Sequence, residues 1–152
     1  MVIGAQGGFR FQAHACVGGP DLDRVYDPLT HARLDMRIDA YEFGRITIDG
    51  VSYDHDVVVE AGRIRKRKKG PSRHRQAEFG HTPLTAAEKI PWSGRRLWIG
   101  TGAYGRLPVA EDVRKEARRR GLELLMKPTP ELVRLVNEAL PTGTNIILHV
   151  TC

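Results

Sequence analysis

Apolar residues fall into two regimes along the chain. Up to residue 36 they follow neither a 3.6-residue nor a 2-residue period, and Gly7-Gly8, Gly18-Gly19-Pro20 and Asp27-Pro28 interrupt the segment with breakers. Residues 1–36 therefore read as a poorly ordered extension outside the core. Order begins at Ile38. Alternation over residues 41–48 and 51–59 predicts two strands, and Asp49-Gly50 between them is a strong hairpin signal. This register turns Ile46, Ile48, Val57 and Val59 toward the core and sends Asp54 and Asp56 to one face with His55 on the other. A third strand is expected around residues 63–67, after Gly62. Residues 82–89 predict a short helix with Thr82 as N-cap, Pro83 in the first turn and Pro91 as its stop.

From Leu97 the pattern becomes strand, helix, strand, helix, strand. Residues 109–120 place Val113 and Ala117 on one helical face, with Glu111 and Asp112 in the first turn and Arg118 to Arg120 in the last. Residues 122–126 form a short apolar run suited to a buried parallel strand. Thr129-Pro130-Glu131 opens a second helix with Thr129 as cap, and residues 146–150 form a final strand. The fold class is thus α/β: a three-layer single domain over residues 37–152, with a mixed sheet, an N-terminal β-hairpin and a βαβαβ unit.

Composition narrows the function classes. A chain of 152 residues, 41% apolar and 28% charged, suits one globular domain. No apolar run approaches the ~18 residues of a membrane span, and residues 1–16 lack the continuous apolar stretch of an export signal. Cys16 and Cys152 lie near opposite ends, so no disulfide framework is expected and a reducing, cytoplasmic setting follows. The net charge of +6 is local. Arg63, Arg65, Lys66, Arg67, Lys68, Lys69, Arg73 and Arg75 carry eight positive charges with no acid among them; taking them from the 24 basic residues leaves 16 against 18 acids.

Few residues advertise chemistry. Gly100-x-Gly102-x-x-Gly105 follows a strand and formally matches a dinucleotide-binding turn, but the helix opens late and Lys127 stands where a ribose-binding acid belongs. The turn reads as a tight bend using positive φ, or as a small-anion loop. The basic run reads as a solvated face or as a phosphate clamp for nucleic acid; without interleaved aromatics it gives no base-stacking platform. His14, Cys16 and a distant His31 can be drawn as metal ligands only across an unpatterned segment. Cys152 reads as an inert thiol. No catalytic constellation, metal motif or cofactor motif emerges.

One ordered set of landmarks resembles a known family. It comprises Tyr41-Glu42-Phe43-Gly44-x-Ile46-x-Ile48-Asp49-Gly50 with Tyr53 and Asp56, then His81, Ile99-Gly100-Thr101-Gly102, Thr129, Asn137 and a close on Thr151-Cys152. Over residues 38–152 the chain resembles the small α/β domain family that includes mitochondrial complex I assembly factor 3 and the adipogenesis-associated Mth domain-containing protein. The resemblance implies a domain with no established enzyme activity, some of whose relatives act in assembly through protein partners. It maps a candidate ligand cleft onto Asp56, His81, Gly100, Thr101 and Gly102. The basic run replaces a segment that often holds a tryptophan in the family. The expectation is a non-enzymatic binding or assembly module that needs no cofactor. The alternatives are small-anion or nucleotide binding with cryptic catalysis, in which His81 or Asp56 serves as acid or base, and nucleic-acid association through residues 63–75.

Overall fold

The computed structural model describes residues 36–152; residues 1–35 of the extension, with the His14, Cys16 and His31 grouping, lie outside them. Strands β1 (Ile38–Glu42), β2 (Arg45–Ile48) and β3 (Val51–Tyr53) form an antiparallel three-stranded sheet. Strands β4 (Val57–Glu60), β5 (Arg63–Lys66), β6 (Arg96–Thr101), β7 (Glu123–Lys127) and β8 (Thr144–His149) form a second sheet in the order β5-β4-β8-β6-β7. In it β6 runs parallel to β7 and β8, while β4 is antiparallel to β8 and β5. Helices α2 (Glu111–Arg119) and α3 (Thr129–Glu138) connect the parallel strands, and a short α1 (Gln76–Phe79) continues a 3-10 turn at Gly70–Arg75.

Strand alternation sorts the core into two layers. Val57, Val59, Trp98, Ile146 and Leu148 pack with Leu132 and Val136 of α3 and with Ile38, Ile46 and Ile48 of the small sheet. Val58, Leu97, Ile99 and Ile147 point the other way, onto Val113 of α2, Leu84 and Ile90. The path from β6 to β7 and back to β8 reverses direction across the sheet. Helices on opposite faces therefore give both crossovers the same hand, as parallel connections require. The mixed α/β architecture and the four expected core positions agree with this arrangement; Ile46, Ile48 and Val57 are wholly buried and Val59 nearly so. Met36, assigned to the extension from the sequence, also lies in the core.

Several local expectations need correction. Residues 41–48 are two strands, because Gly44 (φ +86°) reverses the chain and its amide donates to the Val150 carbonyl at 2.7 Å. Residues 51–59 are likewise two strands that belong to different sheets. The Asp49-Gly50 hairpin is present, with both residues at positive φ, but it joins strands of the smaller sheet. The expected helix at 82–89 is absent. Leu84 donates its amide to Pro108 and accepts from Ala110, a parallel bridge that holds this stretch extended until it turns at Thr85 and Glu88. Thr129 is the first residue of α3 rather than its cap; its hydroxyl donates to the His149 carbonyl at 2.7 Å. The Asn137 side chain instead joins α3 to β1, exchanging two hydrogen bonds with the Ile38 backbone at 2.8 and 2.9 Å.

Candidate functional site

Register brings the site together. Val57 pairs with Lys66 on one side and with Leu148 on the other, so one step outward Asp56 lies between Arg67 and His149. All three are buried at the end of the sheet where β8 finishes. Asp56 Oδ2 accepts from His149 Nδ1 at 2.7 Å, Lys69 Nζ at 2.9 Å and Arg67 at 3.1 Å, while Oδ1 accepts from the Val150 amide at 3.1 Å. Arg67 also forks onto Glu88 at 2.7 and 2.8 Å and donates to the Pro83 carbonyl at 2.9 Å. Ser72 Oγ reaches Glu88 at 2.5 Å and Thr85 Oγ1 at 2.8 Å. Every buried charge here has an opposite partner and further hydrogen bonds, the condition under which burial of charge is tolerated.

Burial alone would raise the Asp56 carboxyl. Hydrogen bonds from His149 and Lys69, together with the positive charge of Lys69, outweigh it and hold the group well below the usual carboxylate range. A carboxylate only accepts, so His149 Nδ1 carries the proton and, in the neutral ring, Nε2 is the acceptor. Nε2 faces Thr151 Oγ1 at 3.1 Å and Cys152 Sγ at 3.5 Å. Tyr41 leans over the same end of β8, its hydroxyl 3.3 Å from the Val150 carbonyl. Its pKa is raised, first by burial and then by the charge of Asp56.

A cleft of about 480 Å³ opens beside this network, lined by Asp54, His55, Asp56, the stretch from Lys66 to Gly70, Arg73, Val150 and Thr151. Arg67 and Lys69 are paired with Asp56, and Arg67 with Glu88 as well, so the remaining charges on the lining are those of Lys66, Lys68 and Arg73 against Asp54, and the open space is electropositive.

The basic run is thus not one patch. Lys66, Lys68, Lys69 and Arg73 edge the cleft, with Lys66, Lys68 and Arg73 exposed. Arg67 is a core residue. Arg63 and Arg65 line a separate recess with Glu60 and Lys89, where Arg65 donates to the Lys89 carbonyl at 2.6 Å. Arg75 forms a bidentate pair with Glu78 at 2.8 and 2.9 Å and lies over the Phe79 ring.

The cleft expected at Gly100, Thr101 and Gly102 is filled by the protein itself. The Gly102 amide donates to Thr129 Oγ1 at 2.9 Å, and the Ala103 and Arg106 amides donate to the Thr151 and Cys152 carbonyls at 2.7 and 3.0 Å. Thr101 Oγ1 donates to the Lys127 carbonyl at 3.1 Å. These groups are engaged within the fold rather than presented to a ligand, and the glycines serve close approach. A Cβ on Gly102 (φ +98°) would sit 2.2 Å from the Cys152 backbone, and one on Gly100 2.8 Å from Thr129 Oγ1. His81 is exposed, and no hydrogen bond or ion pair joins it to Asp56 or to the glycine turn. Of the five residues expected at a ligand cleft, Asp56 alone lines the basic cleft. The sequence reading missed His149, Glu88 and the position of Cys152, and placed Lys69 only in the basic run; the available signal was a histidine at the carboxyl end of a central strand, where open α/β sheets place their sites.

Among the described residues no helix is long and apolar enough to cross a membrane, and no cluster of three or more His, Cys, Asp or Glu is placed to hold a metal. No protein of curated function matches the chain. Solved structures do. A conserved hypothetical protein, PH1505 from Pyrococcus horikoshii OT3, is 30% identical, with a TM-score of 0.64 over 77% of this chain and 100% of that one. The protein MT938 is 22% identical, with a TM-score of 0.55 over 77% and 99% of the two chains. A protein described as an outer membrane protein from Bartonella henselae is 17% identical, with a TM-score of 0.52 over 77% and 96%, and shares the fold. The family model of proteins of unknown function DUF498/DUF598 matches residues 38–149, and the chain belongs to that family.

Proposed function

We propose that the domain is a non-enzymatic binding module whose basic cleft receives an anionic group, the carboxylates of an acidic segment on a protein partner. The observation that carries this reading is the convergence of Lys66, Lys68 and Arg73 on one cleft, floored by an Asp56 whose charge is already compensated by Lys69 and Arg67. Its volume of about 480 Å³ suits a few side chains or a small ligand. Its rim carries no Phe, Tyr or Trp, so the surface attracts charge without stacking bases. The partner would meet the domain in a reducing, cytoplasmic setting.

Calorimetric titration with a penta-glutamate peptide, and separately with inorganic phosphate, tests this reading. Binding should weaken as salt rises and vanish in Lys68→Glu/Arg73→Glu, whose exposed side chains leave the fold intact. Absence of binding by either anion at low salt would overturn the assignment. A strong preference for duplex nucleic acid over both would move it to nucleic-acid association.

A further inference from the structure

We infer that Cys152, His149 and Asp56 form a nucleophilic thiol site that undergoes thiol–disulfide exchange with a small, carboxylate-bearing disulfide. The three side chains stand in line. Asp56 Oδ2 accepts from His149 Nδ1 at 2.7 Å, which fixes the ring and leaves Nε2 as the acceptor 3.5 Å from Cys152 Sγ. This is the order of groups that activates a nucleophile: an atom bearing a proton, a base, and an acid that orients the base. Thr151 Oγ1 shares Nε2 at 3.1 Å, so the thiol and the hydroxyl compete for one acceptor. Cys152 is a free, half-buried thiol, and its neighbour Thr151 lines the basic cleft.

Which reaction the thiol performs follows from what surrounds it. Acyl transfer needs N–H donors aimed at a developing oxyanion. The nearby Gly102, Ala103 and Arg106 amides are already bonded to Thr129, Thr151 and Cys152. Thiol–disulfide exchange needs no oxyanion hole, only a thiolate and a thiol leaving group. The Sγ proton passes to His149 Nε2, and the thiolate attacks one sulfur of the reagent. The reagent S–S bond breaks as the Cys152 mixed disulfide forms, and the departing thiolate takes the proton from His149. The reagent is the oxidant; one of its sulfurs leaves as a thiol. The preference for carboxylates rests on the cleft reading proposed above, whereas the reactivity of the thiol does not.

The test uses the full chain carrying Cys16→Ser, so that Cys152 is its sole thiol. Intact mass follows mixed-disulfide formation with glutathione disulfide, which is anionic, and with the neutral hydroxyethyl disulfide. The native protein should react at least about tenfold faster than the same chain unfolded in urea, with either reagent. His149→Gln should erase that advantage. A native rate equal to or below the unfolded rate overturns the thiol site, and that comparison does not depend on any variant folding. Lys68→Glu/Arg73→Glu should slow glutathione disulfide severalfold and leave hydroxyethyl disulfide unchanged. If both reagents keep their rates in that variant, the anionic preference and the cleft behind it fail while the thiol site stands.

Discussion

Arg67→Met separates the structural part of the basic run from its surface part. Arg67 and Glu88 have side chains 1% and 3% exposed, and four hydrogen bonds end on the guanidinium, two on Glu88, one on Asp56 and one on the Pro83 carbonyl. Methionine fills much of the stem volume but returns none of them. Asp56 keeps Lys69 and His149, so the loss falls on Glu88, whose remaining partner is the Ser72 hydroxyl. Breaking a buried ion pair from one side costs about 3–5 kcal/mol, and about 4 kcal/mol is expected here. For a domain of this size that lowers Tm by about 15 °C. Urea titration read by the fluorescence of Trp92 and Trp98 measures the loss. Lys68→Met, a change of the same type at an exposed position, should stay within about 0.5 kcal/mol of the parent. Arg67→Lys should not restore stability, because an ammonium cannot fork onto Glu88. Arg67→Met/Glu88→Leu, which removes both charges, should recover at least half of the loss. A cost below about 1 kcal/mol for Arg67→Met, or a double variant as unstable as the single, would refute this account of the network.

Gly102→Ala should cost about 3 kcal/mol, since it combines a positive φ with a Cβ driven into the Cys152 backbone; thermal melts near the parent value would show that the terminal residues yield instead. Thr129→Val should cost about 1–3 kcal/mol by leaving the buried Gly102 amide without its acceptor, measurable by urea unfolding. The pH dependence has a defined sign. The Asp56 carboxyl is depressed in the folded state, so its contribution is complete above its unfolded value of about 4 and is lost as pH falls from there toward the folded value. The urea midpoint should drop through that acid window, and Asp56→Asn should flatten the drop while being less stable at neutral pH; equal slopes for the two proteins would exclude Asp56 as the titrating group.

The βαβαβ half was legible because its signals are local and redundant. Helix α2 carries acids at its start, basic residues at its end and Val113 and Ala117 on one face, and the apolar run at 122–126 marks β7, which is parallel as expected but lies at the sheet edge with its apolar residues only half-buried instead of buried. The first half failed where alternation continues through a reversal. Tyr41 and Phe43 alternate and Ile46 and Ile48 alternate, so the stretch resembles one strand, but the phase slips by one residue between the two pairs, where Gly44 turns the chain. Val51 to Val59 likewise reads straight through the bend that carries it from one sheet to the other. Residues 82–89 have capping and composition suited to a helix, but the Leu84 bridge and the Thr85 and Glu88 bonds to Ser72 and Arg67 engage the backbone and side chains elsewhere. Long-range pairing overrode propensity there.

The site was hidden for a related reason. Its members lie at residues 56, 67, 69, 72, 85, 88 and 149, and pairwise strand register, which no local pattern encodes, is what stacks Asp56 between Arg67 and His149. A run of eight basic residues with no acid among them looks solvated because its acids lie outside the run: Asp56 precedes it and Glu88 follows it. Once Arg67 is placed in the core and Lys69 is paired with Asp56, the charges left facing the cleft are those of Lys66, Lys68 and Arg73, and the proposed anion preference belongs to them. The glycine turn lies at the same end of the sheet as this network, one strand away, on β6 instead of β8. Its glycines make room for Thr129, Thr151 and Cys152, and that close packing sets Cys152 within reach of His149. The turn acts on the site by positioning the chain that carries the thiol, which is why Gly102→Ala should slow Cys152 chemistry as well as weaken the fold.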